Sequence, residues 1–219
     1  MAISHYRDQL RKVKESGPAD SIKVDVDGTP VFLRPVDESE ETVHLMTEWR
    51  NKYGHVFRTK FKATEDKTRK YIRNQLIDNP DRILFMIVLK NQKIGHIGVF
   101  NYDEINNMAE IDNVLRGVRN NSPGLMEKVT GSIIRWMFED LKLSKVLLKV
   151  SSDLYKAINL YERCYMLTVG TVPCKRVFTE DGWRWEETLL QTESDFGERY
   201  INTMEITKES YLLYEKMFE

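Results

Sequence analysis

Arg119, Ser122, Pro123 and Gly124 stand just before a long stretch of helical periodicity. Ser122 is a good N-cap, and Pro123 suits the first helical position, where its missing N–H costs nothing. Gly124 leaves the backbone open to close approach. The N–H groups of a first helical turn are unpaired and favour anions, and Arg119 adds a positive charge, so the segment can cradle a phosphate. The plainer reading is a capped helix that binds nothing. Upstream, Glu110 and Asp112 alternate with Ile111 and Asn113, which puts both carboxylates on one face of a strand. They form a solvated face, or one of them is a general base for an attacking ammonium. Trp49-Arg50-Asn51 ends a helix in the plainer reading; in the functional one, Arg50 captures a phosphate or carboxylate. Tyr161 shares an apolar helix face with Leu154, Ala157 and Ile158, the usual setting of a core tyrosine.

Other reactive residue types argue against chemistry. The histidines at 5, 44, 55 and 96 show no His-x-x-x-His spacing and the two cysteines no Cys-x-x-Cys, so no metal site is expected. His96, between Gly95 and Ile97, reads as structural. Cys164 has no His–Asp pattern near it to make it a nucleophile. The basic run Arg7, Arg11, Lys12, Lys14 reads as a solvated helix face.

The elements that must hold these residues follow from periodicity. Residues 2–16 read as a short helix or loose arm, broken by Ser-Gly-Pro at 16–18. Residues 22–35 alternate about Asp27-Gly28, a hairpin signal. Helices are expected over 38–52 and 64–78. Residues 82–90 and 93–102, with a turn at Asn91-Gln92, and 108–117 make a three-stranded antiparallel meander. The long helix covers 122–141, with Leu125, Met126, Val129, Ile133, Trp136, Met137 and Leu141 at helical steps. A strand at 145–150, a helix at 153–164, strands at 168–179 and 183–191 joined at Asp181-Gly182, and a helical tail over 194–219 complete the order. It predicts an α/β/α sandwich, with a mixed, mostly antiparallel sheet and helices on both faces. The chain divides into an N-terminal arm or helix (1–20), a main domain (21–192) and a C-terminal helical extension (193–219).

With 33 Lys and Arg against 34 Asp and Glu, the net charge is -1. No whole-chain field draws nucleic acid or an anionic membrane. No apolar run approaches the roughly 20 residues of a membrane span, and the first residues lack the apolar stretch of a signal peptide. Two cysteines make no disulfide framework, so a cytoplasmic location with reduced thiols is expected.

Order and spacing carry more than any one motif. Arg119-x-x-Ser122-x-Gly124, between a strand and a long helix, resembles the acyl-CoA loop of the GNAT superfamily of N-acetyltransferases, with serine in place of the first glycine. Ala157-Ile158-Asn159-Leu160-Tyr161-Glu162-Arg163-Cys164 is similar to that family's A-x-x-L-Y-E helix, and Ala109-Glu110-Ile111 to its glutamate-bearing strand. Leu154 replaces an asparagine of the pattern, with Asp153 beside it, and Tyr165-Met166 replaces Gly-Phe. The resemblance spans roughly residues 30–190. Trp49-Arg50-Asn51 resembles the W-R-N of amino-sugar acetyltransferases of surface-sugar pathways.

The resemblance implies acetyl-CoA as co-substrate, with contacts from Leu115, Gly117, Arg119, Asn120, Ser122, Gly124, Leu125 and Asp153. It implies Tyr161 as the acid for the departing thiolate, Glu110 as the base, and Trp49, Arg50 and Asn51 at the acceptor. The expected reaction is direct attack of a primary amine in a ternary complex, the acceptor being a nucleotide-linked amino sugar. A protein N-terminal or ribosomal-protein acetyltransferase and a non-catalytic acyl-CoA-binding module are the alternatives. The expected partner is a small-molecule amine; the oligomeric state is open, a homodimer being one option.

Overall fold

The computed structural model describes residues 4–17, 21–119, 122–188 and 199–218. In chain order the elements are α1 (His5–Ser16), β1 (Ile22–Val26), β2 (Thr29–Pro35), α2 (Glu40–Lys52), β3 (Thr59–Phe61), α3 (Glu65–Tyr71), β4 (Ile83–Leu89), β5 (Gln92–Asp103), β6 (Met108–Arg116), α4 (Leu125–Glu139), β7 (Lys145–Ser151), α5 (Tyr155–Arg163), β8 (Leu167–Thr179), β9 (Gly182–Glu187), β10 (Arg199–Thr207) and α6 (Lys208–Phe218). The strands form one sheet in the order β1-β2-β4-β5-β6-β7-β10-β8-β9-β3. Every neighbouring pair is antiparallel except β6–β7.

Turn chemistry fixes the first hairpins. Asp27 and Gly28 both adopt positive φ (50° and 77°), as do Lys90 and Asn91 (49° and 62°). Two successive left-handed residues match the right-handed twist of the flanking strands. The second turn falls one residue before the expected Asn91-Gln92. β4 is buried at all seven positions because both of its faces are covered. Ile83, Phe85, Ile87 and Leu89 meet the core under α1, α4, α5 and α6, while Leu84, Met86 and Val88 meet the smaller core under α2 and the 72–77 turn. The antiparallel-rich sandwich expected from the element order is what forms.

Four expectations are corrected. Residues 2–16 are no loose arm: Tyr6 and Leu10 of α1 are buried in the main core, and Tyr6 stacks on Tyr102 at 3.8 Å. The basic run there is only partly solvated, since Arg7 pairs with Asp81 and Lys14 donates to the carbonyls of Ile77 and Asn79. The segment after 193 is not helical throughout: among its described residues, 199–207 are β10, inserted between β7 and β8, and 208–218 are helical. The long helix begins at Leu125, not at Ser122. Its N-cap is Gly124, in the left-handed region (φ 69°), and no side chain caps it. β3, three residues long, went unanticipated.

Candidate active site

β6 and β7 part company midway. Their parallel register runs from Met108↔Lys145 to Ile111↔Leu148 and stops. On its other side β6 carries a bulge: β5 pairs Gly98 with Asp112 and His96 with Leu115, leaving an extra residue on β6, where Asn113 takes φ 51°. Beyond this point the two strands diverge and open a cleft of about 1330 Å³, lined on one flank by residues 110–116 and on the other by 148–151.

One end of the cleft lies near the start of α4. With Gly124 as a bare N-cap, the first-turn N–H groups have no side-chain acceptor. Open space surrounds a Cβ placed at Gly124, so a ligand can approach the backbone closely. Arg116 donates to the carbonyls of Val118 and Ser122 and so ties the strand end to the loop. Ser122 thus contributes a carbonyl to the loop's internal bonding. Arg119 and Leu115 line the cleft. Asn120 lies outside the described residues. Leu125 is buried in the main core, which leaves its backbone alone facing the loop. Gly117 carries the Trp49 ring: a Cβ there would meet ring atoms at 2.1 Å. Asp153 lines the cleft and accepts from Arg199 Nε at 3.1 Å and from its Nη2 at 2.8 and 3.0 Å.

At the centre, Tyr161 is 6 % exposed and lines the cleft. Its hydroxyl has no hydrogen-bond partner among the described residues. Burial, with Asp112 and Cys164 nearby, pushes the phenol well above its usual range. Glu110 lines the cleft and accepts from Asn101 Nδ2 at 3.0 Å. Asp112 is exposed and accepts from the Asn113 N–H at 2.6 Å. His96 is fully buried; desolvation, then Arg50, hold its pKa down at about 4 against the pull of its hydrogen bond to the Asn113 carbonyl.

At the other end the Trp-Arg-Asn tripeptide divides its tasks. Trp49 is 2 % exposed in the smaller core and faces no solvent. Asn51 donates to the Ala63 carbonyl and accepts from its N–H, closing the 52–63 loop. Arg50 alone lines the cleft. Its guanidinium lies 4.1 Å from the Phe57 ring centre and 4.8 Å from that of Phe61, and it donates to the Thr59 carbonyl at 2.6 Å. Sequence alone does not single out these aromatics or Tyr71, Arg58 and Lys67: Val56-Phe57 and Arg58-Thr59-Lys60 break the apolar–polar alternation that would mark a strand.

The β8–β9 hairpin reaches this end through β3. Lys67 pairs with Asp181, and Glu187 bridges Arg58 and Lys149. Cations and indoles alternate beside it. Lys60 Nζ is 6.0 Å from the Trp183 ring, Arg176 sits 5.2 and 5.3 Å from Trp183 and Trp185, and Arg199 is 5.5 Å from Trp185. Phe178, paired across from Trp183, is 75 % exposed. Among the described residues no group of three His, Cys, Asp or Glu is placed to hold a metal, and no helix is long and apolar enough to cross a membrane.

A mixed sheet that splits between two parallel strands, with the bare N-terminus of a long helix beside the split, offers a cleft with backbone donors for an anionic ligand at one end. The chain belongs to the GNAT acetyltransferase family: the model of the acetyltransferase (GNAT) domain matches residues 31–166. It is therefore an acyl-CoA-dependent N-acetyltransferase. The fold is similar to that of spermidine N-acetyltransferase from Vibrio cholerae in complex with CoA and spermine, with TM-score 0.66 and 17 % identity over 83 % of this chain and 98 % of that one. A dodecameric structure of that enzyme in an intermediate state gives TM-score 0.61 and 16 % identity over 83 % and 96 %. Comparison with curated proteins gives no match.

Proposed function

We propose that the protein moves an acetyl group from acetyl-CoA to the primary amine of a nucleotide-linked amino sugar. The observation that carries the reading is Arg50, a guanidinium held between Phe57 and Phe61 on the cleft wall, away from the α4 end. Such a group suits an anionic, ring-bearing acceptor. A free polycation finds little here: Arg50, Arg58 and Lys67 offset Glu110, Asp112 and Asp181.

Acetyl-CoA lies in the split, its pyrophosphate on the first turn of α4 beside Arg119 and its thioester between β6 and β7. Leu115 and Asp153 border its path, and Ser122 shapes the loop around it. The amine attacks the thioester carbonyl, a C–N bond forms and the C–S bond breaks. Glu110 takes the ammonium proton, directly or through water, before attack; Tyr161 then gives its proton to the departing thiolate and recovers one from the nitrogen as the amide forms. Burial weakens Tyr161 as an acid, but the same dry surroundings raise the pKa of the thiol it serves. Positioning and backbone donors supply most of the acceleration.

Initial rates of CoA release over four acceptors test the reading: a nucleotide-linked amino sugar, that sugar without its nucleotide, spermidine, and a peptide with a free N-terminus. The first should be preferred. Arg50→Ala should raise its KM about tenfold or more, the loss of one charge-assisted contact, with acetyl-CoA affinity held; Arg50→Lys should recover part. Preference for spermidine would replace the amino sugar with a polyamine, the acceptor class of the structural relative; preference for the peptide would make the enzyme a protein N-terminal acetyltransferase.

A further inference from the structure

The bulge leaves Asn113 and Val114 of β6 without a register partner on either neighbouring strand. β5 pairs Asp112 and Leu115 but neither residue between them, and β7 pairs nothing beyond Ile111. The Asn113 N–H, in the preceding peptide, is taken by Asp112 Oδ1. The Asn113 carbonyl accepts from His96 Nδ1 at 2.6 Å. In a trans peptide the C=O and the next N–H point in opposite directions. β5, which carries His96, and β7 flank β6 on opposite sides. A carbonyl drawn toward His96 therefore turns the Val114 N–H toward β7, into the space where the strands have parted.

We infer that His96 is a positioning residue for acetyl transfer: it fixes the 113–114 peptide so that the Val114 N–H meets the developing oxyanion of the thioester. This rests on the acetyl-transfer reading of the cleft. The left-handed Asn113 is held by its neighbours on both sides, Asp112 at its N–H and His96 at its carbonyl. A hydrogen bond at a carbonyl polarises its peptide and strengthens the donor at the other end. The ring is buried and packed beside Trp49, with centroids 6.0 Å apart, so it cannot turn away cheaply. Because burial keeps the imidazole neutral, it has one proton, and the carbonyl contact assigns that proton to Nδ1.

The test exploits side-chain geometry. The amide nitrogen of asparagine takes the place of Nδ1, whereas that of glutamine takes the place of Nε2. His96→Asn should keep kcat near wild type, while His96→Gln and His96→Leu should lose about 10- to 100-fold, a misaimed rather than deleted oxyanion donor. Acetyl-CoA affinity should hold in all three. Isotope-edited infrared spectra of bound [1-13C]acetyl-CoA supply a readout independent of the acceptor: the thioester carbonyl stretch should lie lower in wild type and His96→Asn than in His96→Gln. Equal kcat losses in His96→Asn and His96→Gln, with one carbonyl frequency throughout, would overturn the inference and leave acetyl transfer standing. Failure of wild type to bind acetyl-CoA would overturn the acetyl-CoA reading, and this inference with it.

Discussion

Gly117→Ala isolates the contact between the site's strand and the helix beneath it. The glycine does not need its conformational freedom, since its φ is not positive. It needs the space. An added Cβ would lie 2.1, 2.3 and 2.6 Å from three atoms of the Trp49 indole. Carbon atoms rest at about 3.5 Å or more, so the ring must retreat by about 1.4 Å. It has nowhere to go: Trp49 is packed in the smaller core with Met46, Leu84 and Leu115. Overpacking of this kind costs about 1–3 kcal/mol, and the absence of slack places it near the upper end, about 3 kcal/mol. In a chain of 219 residues that lowers Tm by about 6–12 °C. Trp49→Phe, which opens a cavity, should alone cost about 1–2 kcal/mol. Combined, the methyl fills part of the vacated volume, so the double variant should fall short of the summed losses by about 1–2 kcal/mol. Thermal and urea unfolding of all four proteins read this coupling. Additivity within about 0.5 kcal/mol would refute the packing argument.

Three further outcomes follow from the geometry. Arg119→Glu and Gly124→Val should each weaken acetyl-CoA binding by calorimetry, the first by charge reversal and the second because valine resists a left-handed φ and fills the open approach; unchanged affinity in both folded variants would remove the loop from the site. Tyr161→Phe should lower kcat while leaving acetyl-CoA affinity in place, since proton donation matters in the transition state; full turnover would return Tyr161 to a packing role. Lys14 has its folded pKa lowered to about 8 by burial, opposed by Asp78 and Asp81. The unfolded chain therefore holds the extra proton between about pH 8 and 10.5, and wild-type stability relative to Lys14→Met should rise with pH across that window. A flat or falling difference in urea midpoints would contradict the burial.

The readable parts of the fold were those whose periodicity is local. β4 to β6 and α4 show their core faces within ten residues. β10 hid because a register shift between Thr203 and Met204 puts Ile201 out of phase with Met204 and Ile206, so no clean alternation marks it. The start of α4 misled because Ser122-Pro123 is good cap chemistry, yet the chain turns on the left-handed Gly124 instead. In the site, Glu110, Tyr161, Arg119 and Arg50 line one cleft. Trp49 and Gly117, expected at two different ligands, face each other instead. That contact joins residues far apart in sequence, and no local pattern encodes a close approach between a helix and a strand end. His96 was set aside as structural because its partner, a carbonyl exposed by a bulge, exists only once β5 and β6 have paired.

The place of β10 sets the order in which the protein can be completed on the ribosome. β7 and β8 are neighbours in the chain but not in the sheet; the gap between them is filled by a strand made last among the ten. Until residues 199–207 emerge, each of those strands presents an unsatisfied edge to the cell. Exposed edges recruit other strands, so a nascent chain has every reason to mispair during that interval. Closure by β10 joins the half of the sheet that holds the α4 loop to the half that holds the hairpin. The hairpin end of the cleft is therefore fixed to the β6–β7 split only after residues 199–207 have emerged, and a chain stalled earlier holds most of the site's residues without its hairpin wall.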